Sequence, residues 1–265
     1  MGLKHTLGRL TETLFFDTDK RLYWREQTFG IASEAFRIPG SHDSTLSGKV
    51  FHAEGVTSEN SRGLIVYAGA PVKNLSFNLP QILWLAAAGI PVVGFDWPGA
   101  GESTGVLTLN GMERDLEAVL QETQRRFPET AIILFGQGPG ADAALRVAQH
   151  EQAIRGLILE SVYATHAGWL IDRYGPGVGH VAASFLPGQS SDPLTALPSI
   201  TMPIALFCPA YDDFVPTGQT ARVLKTLPKN TLCIKANCGG YASLFSLPGS
   251  HREAFLSFCH KVFLA

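Results

Sequence analysis

The sequence predicts a doubly wound α/β domain, built on a mostly parallel sheet of about eight strands with a short cap inserted late in the chain. Three observations carry this prediction. Apolar runs of strand length alternate with helical patterns, and the runs are near-continuously apolar, as strands covered on both faces must be. Small-residue loops follow the strand ends at 68–71, 96–105 and 136–140. Hydrophobic residues make up 45% of the chain and charged residues 17%, enough apolar material for a sizeable core.

In chain order, two leading strands fall at 34–38 and 48–53, separated by the polar turn Gly40-Ser41-His42-Asp43-Ser44. The first strongly apolar strand, 63–67, ends in Ala68-Gly69-Ala70-Pro71, and a helix over 78–88 leads to a strand over 91–95. That strand runs into Asp96-Trp97-Pro98-Gly99-Ala100-Gly101-Glu102-Ser103-Thr104-Gly105. Asn110 reads as the N-cap of the next helix with Glu113 as its capping-box partner, and Met112, Leu116, Val119, Leu120 and Phe127 form the apolar stripe.

A strand over 131–135 then meets Gly136-Gln137-Gly138-Pro139-Gly140, followed by a small-residue helix to about Gln149 and a strand over 156–160. Residues 163–197 read as an irregular cap, because Trp169, Tyr174, His180 and Phe185 are too large and apolar for a linker. A strand at 203–207, a helix at 217–227, a strand at 231–235 and a helix at 252–263 complete a domain spanning 31–265. Residues 1–30 form an N-terminal extension in which Leu3, Leu7, Leu10 and Leu14 recur at helical spacing beside Lys4, His5 and Arg9. This reads as a short helix packed on the domain, with a membrane-surface contact as the alternative; Met1-Gly2 with Thr6 also fits the loose myristoylation pattern.

A net charge of −2 with no cluster of Lys or Arg argues against a nucleic-acid partner. Cys208, Cys233, Cys238 and Cys259 have neither a C-x-x-C pair nor a zinc spacing, so no metal is expected. With no signal-peptide pattern at the front, the thiols point to a reducing, cytoplasmic location. The apolar stretch 82–93 is broken by Gly89 and Pro91 and is too short to span a bilayer.

The order of strands, D-x-x-G-x-G-x-S-x-G segment, G-x-x-x-G turn and helix resembles the α/β-hydrolase superfamily from about residue 34 to the C-terminus. Segment 96–105, the run Leu159-Glu160-Ser161 and the acid loop Pro209-Ala210-Tyr211-Asp212-Asp213-Phe214-Val215-Pro216 look like its serine-aminopeptidase-like and Bem46-like branch. The resemblance implies a serine nucleophile at the centre of the strand-to-helix turn, where this sequence has Gly138, which has no oxygen to attack with. It implies an oxyanion donor on the next backbone N–H, where Pro139 has none. It implies a histidine after the last strand, where the sequence reads Cys238-Gly239-Gly240-Tyr241. Only the acid is kept, as Asp212, and the first oxyanion loop is altered to Ala68-Gly69-Ala70.

The sequence therefore predicts a pseudo-hydrolase with degenerate triad positions Gly138, Asp212 and Tyr241 and no cofactor. Its expected partner is a small apolar ligand or a protein, contacted by Ala70, Gly138, Pro139, Trp169, Tyr174, Asp212 and Tyr241. Trp169 and Tyr174 could equally be cap core. Non-nucleophilic lyase, cyclase or isomerase chemistry, with Tyr241 donating and Asp212 accepting a proton, is one alternative. Relocated hydrolysis is another, with His251 as base or Cys238 as nucleophile, although His251 is expected to reach solvent and nothing basic stands near Cys238 in sequence. A third is dinucleotide binding, since Gly136-Gln137-Gly138-Pro139-Gly140-Ala141 satisfies G-x-G-x-x-A with Glu160 closing the next strand. Cys208 and Cys233 read as strand core, and His150 and His260 as surface groups near helix ends.

Overall fold

Strand-length apolar runs pair into one eight-stranded sheet in the computed structural model, which describes residues 2–56, 61–187 and 192–264. Met1 of the acylation pattern, residues 188–191 of the expected cap and the terminal Ala265 lie outside these residues. The strands are β1 (Ser33–Pro39), β2 (Thr45–Phe51), β3 (Gly63–Ala68), β4 (Val92–Phe95), β5 (Ala131–Gln137), β6 (Ile154–Glu160), β7 (Ile204–Cys208) and β8 (Leu232–Lys235). Their order across the sheet is β1-β2-β4-β3-β5-β6-β7-β8. Strand β2 runs antiparallel to β1 and β4, and the remaining pairs are parallel. Every residue of β3 is buried, the two-sided burial that its unbroken apolar run requires.

The helices are α1 (Leu3–Glu12), α2 (Leu75–Ala87), α3 (Gly111–Arg126), α4 (Pro139–Ala148), α5 (His166–Ala183), α6 (Pro193–Ala196), α7 (Thr217–Thr226) and α8 (Ser250–Phe263). Helices α2 and α8 supply one apolar layer, through Leu79, Ile82, Phe255 and Phe258. The opposite layer gathers α3, α4, α5 and α7, together with Phe15 from the N-terminal extension. The sheet is thus covered on both faces, as predicted.

Several local expectations are corrected. Helix α2 starts three residues before the expected 78, because Asn74 accepts the Phe77 N–H (3.3 Å) and the Asp96 carboxylate accepts the Leu75 N–H (2.7 Å). Asn110 does not cap α3; the Thr108 hydroxyl takes the Gly111 N–H at 3.0 Å, and Glu113 turns to Arg146 at 3.2 Å. The cap is mostly helical rather than irregular: α5 fills much of it, broken at Gly175 with Pro176 behind it.

In the extension, the leucine stripe is not the buried face: Leu7 is half-buried. Leu10 and Leu14 are exposed, while Thr11, Glu12 and Phe15 face inward, and Glu12 accepts the Leu109 N–H at 2.8 Å. Cys233 is not core either, since β8 is an edge strand with its side chains largely in solvent. Among the described residues, no helix is long and apolar enough to cross a membrane.

Candidate active site

Strand β5 passes into α4 through a single residue, Gly138, at φ 55° and ψ −123°. No L side chain adopts this conformation without strain of roughly 1–3 kcal/mol, and glycine escapes it. The Gly138 N–H donates to the Glu160 carbonyl at 3.0 Å, and its own carbonyl accepts from Ala141 at 3.0 Å. Pro139 is the first residue of α4, where a missing N–H costs the helix nothing. It also leaves the turn one donor short of the pair that would stabilise an oxyanion.

The β8–α8 loop brings Tyr241 over this turn. A Cβ built on Gly138 would lie 2.5 Å from the Tyr241 hydroxyl oxygen and 2.8 Å from its ring edge. Tyr241 therefore stands where a side chain at position 138 would begin. Its ring stacks on Phe214, with centroids 4.2 Å apart and planes 12° apart. The residue as a whole keeps partial exposure, yet the hydroxyl oxygen is enclosed and has no hydrogen-bond partner among the described residues. Burial, and then the nearby Asp212 and Glu160, hold the phenol well above its ordinary range.

Asp212 is engaged locally. Its Oδ1 accepts the Phe214 N–H at 3.0 Å and the Val215 N–H at 2.8 Å, so it pins the loop that carries the Tyr241 stacking partner. Burial raises its carboxyl despite these bonds.

One acidic group in the site was missed as chemistry by the sequence reading. Glu160, at the end of β6, is fully buried and accepts from Gln137 Nε2 at 2.6 Å, while Gln137 in turn accepts the Tyr67 hydroxyl. Burial lifts the Glu160 carboxyl to about 8; the Gln137 bond opposes this and Asp212 adds to it. At the end of its strand Glu160 reads in the sequence as part of the Leu159-Glu160-Ser161 run and as a possible ribose ligand; its buried side chain turns inward to Gln137 instead. With Tyr241 also roofing the turn before α4, the dinucleotide reading has no geometric support.

The remaining predicted contacts separate. Trp169 is buried cap core, donating its indole N–H to the Phe214 carbonyl at 2.8 Å. It lies 4.4 Å from Phe15 and 4.8 Å from Phe214, centroid to centroid, so an aromatic column runs Phe15–Trp169–Phe214–Tyr241 into the turn. Tyr174 meets Trp169 edge-on but is 40% exposed, at the rim of the cap rather than in its core. Ala70 lines a cavity of only about 10 Å³ beside Tyr67 and Trp97, room for one water at most.

His251 does not reach solvent; it is buried in α8, and its Nδ1 lies 3.8 Å from Cys238 Sγ. His150 and His260 are exposed, as expected. A second buried polar cluster went unnoticed in the sequence. His166, at the start of α5, meets Asp192 (Nδ1, 3.0 Å) and Asp142 (Nε2, 3.1 Å), and Asp142 also holds Arg146 at 2.6 Å. Burial works against its protonation, but the two carboxylates outweigh this and lift the imidazole to about 9. The cap is thereby tied to α4 by an ion cluster.

Among the described residues, Glu113, Glu117 and His150 could gather around a cation, their ligand atoms within 4.8 Å of one another. However, Glu113 is paired with Arg146 and Glu117 with His150.

Residues 80–165 match the family model for serine aminopeptidase, S33. The uncharacterized protein YfhR of Escherichia coli (strain K12) is 23% identical over 190 residues, covering 70% of this chain and 66% of that protein's length. YfhR of Salmonella typhi is 21% identical over 276 residues, covering 96% and 89%. Among solved structures, the esterase Pf2001 of Pyrococcus furiosus superposes with a TM-score of 0.69 at 18% identity, covering 94% of this chain and 97% of that one. An alpha-beta hydrolase from Vibrio vulnificus gives a TM-score of 0.73 at 18% identity, covering 97% and 94%. The sheet order, the turn at Gly138 and these similarities make this chain an α/β-hydrolase-fold protein.

Proposed function

We propose that this protein is a non-catalytic member of the hydrolase fold whose role is to bind rather than to transfer an acyl group. The observation that carries this reading is the Tyr241 hydroxyl in the space of the absent side chain at Gly138. Filling of that space by the residue at the expected base position adds to the loss of oxygen at 138 and of N–H at 139. Fluorophosphonate labelling and turnover of short-chain p-nitrophenyl esters test it. The expected result is no adduct and no rate above the uncatalysed one. Turnover that disappears on changing residues around Gly138 would refute the reading.

A volume suited to a small molecule lies away from the turn. A cavity of about 880 Å³ opens between α1, the 105–110 segment and the end of the cap, lined by Arg9, His42, Val106, Arg114, Phe185 and Leu186. Its size falls in the range of ligand sites. Lys4, Arg9 and Arg114 outnumber the single lining carboxylate, Glu12, which already accepts the Leu109 N–H, so cationic groups beside apolar ones suit an apolar ligand with an acidic head. A thermal-shift comparison of medium-chain fatty acids with the matching alcohols checks this; equal or absent shifts for both count against it.

A second reading rests on Glu160. A carboxyl that stays protonated up to about 8 beside Tyr241 and Asp212 is a candidate general acid for chemistry that needs no nucleophile. Any turnover of this kind would follow an ionisation near that value and be abolished by Glu160→Gln; activity surviving that change would exclude it.

A further inference from the structure

We propose that Cys238 is a base-assisted nucleophile and a covalent modification site for soft electrophiles, with His251 as its base and the Leu247 carbonyl as the group that orients that base. The sequence separates the two side chains by thirteen residues, and the loop before α8 brings them together. His251 Nε2 lies 2.9 Å from the Leu247 carbonyl oxygen, and a carbonyl can only accept. Nε2 therefore carries the proton. In the neutral imidazole, Nδ1 is then the unprotonated nitrogen, and it faces Cys238 Sγ at 3.8 Å.

The ring is held in place from other sides. Phe245 packs against it at 5.7 Å between centroids, and Gly249 leaves the room it needs, since a Cβ there would come within 2.9 Å of the imidazole. Nucleophile, base and orienting acceptor thus form a sequence of contacts that depends on neither Gly138 nor Tyr241.

The other three thiols serve as internal controls. Cys259 is buried in the core and Cys208 is half-buried, its thiol pushed up by burial to about 11. Cys233 is the most accessible, on the edge strand, with no imidazole against its sulfur among the described residues. Accessibility alone makes Cys233 the faster thiol, whereas base assistance makes it Cys238. Cys238 is partly exposed, so small reagents can reach it.

In the reaction, the thiol proton passes to His251 Nδ1 and the sulfur attacks the electrophilic carbon. With iodoacetamide a C–S bond forms, the C–I bond breaks and iodide leaves. The proton then leaves Nδ1 to water on the partly exposed Cys238 side of the pair, since the rest of the imidazole is buried.

The test uses the intact folded chain with limiting iodoacetamide at neutral pH, followed by peptide mass mapping. Cys238 is expected to be carbamidomethylated at least tenfold faster than Cys233, and His251→Asn to bring it down to the Cys233 rate at an unchanged melting temperature. A Cys238:Cys233 ratio below ten overturns the proposal, as does a folded His251→Asn protein that labels Cys238 at the wild-type rate. Should His251→Asn fail to fold, the wild-type ratio decides alone.

Discussion

The Tyr241 hydroxyl lies 2.5 Å from where a Cβ on Gly138 would stand, so the two residues occupy one site in complementary fashion. Restoring a side chain at 138 forces the stacked phenol to move and also loads a residue at φ 55°. Gly138→Ser is expected to destabilise the fold by about 2 kcal/mol, from backbone strain and the collision together, without creating esterase activity. Urea unfolding and an ester assay read the two parts.

The enclosed hydroxyl of Tyr241 costs stability rather than adding to it, because it was stripped of water and given no partner among the described residues. Tyr241→Phe is expected to be neutral or to stabilise by up to about 1 kcal/mol. A clear loss in melting temperature would place an unseen partner on that oxygen.

Reinstating nucleophile and base does not by itself restore the site while Pro139 stands after them. The Gly138→Ser/Tyr241→His variant is expected to react with fluorophosphonate at least a hundredfold more slowly than the same variant carrying Pro139→Ala, roughly the effect of one oxyanion donor. Equal rates would assign no weight to the missing N–H.

His166 predicts how stability changes with pH. Its folded value of about 9 lies above the ordinary histidine range, so the folded state holds the proton more tightly than the unfolded one. The contribution is complete below about pH 6.5 and is lost as pH rises through 9, to the order of 3 kcal/mol. Urea midpoints at pH 6 and 9.5 should differ in that direction, and His166→Gln should remove most of the difference.

Glu160 acts in the same direction over a lower window. Its carboxyl titrates near 4.5 when unfolded and about 8 when folded, so stability is complete below 4.5 and falls until about 8. Glu160→Gln keeps an amide partner for Gln137 and is expected to flatten the profile between pH 5 and 8. A profile unchanged by the substitution would show that the buried acid is already ionised.

The eight strands, the helices outside the cap and the turn at Gly138 were legible in the sequence because two-sided burial leaves unbroken apolar runs and because strand-to-helix turns need small residues. The absence of oxygen at 138 and of N–H at 139 needed no structure at all, since both follow from covalent chemistry. The start of α2 and the cap of α3 were misplaced because Asp96 and Thr108 act through hydrogen bonds that propensity cannot reveal. The leucines of α1 keep helical spacing, yet spacing does not say which face a partner covers, and Glu12 and Phe15 settled that. Only the tertiary structure decided that Tyr241 fills the turn, that Glu160 points inward, that His166 bridges cap and core, and that Cys238 meets His251. Each of these depends on distances between segments remote along the chain, and a sequence encodes such distances only through the packed whole.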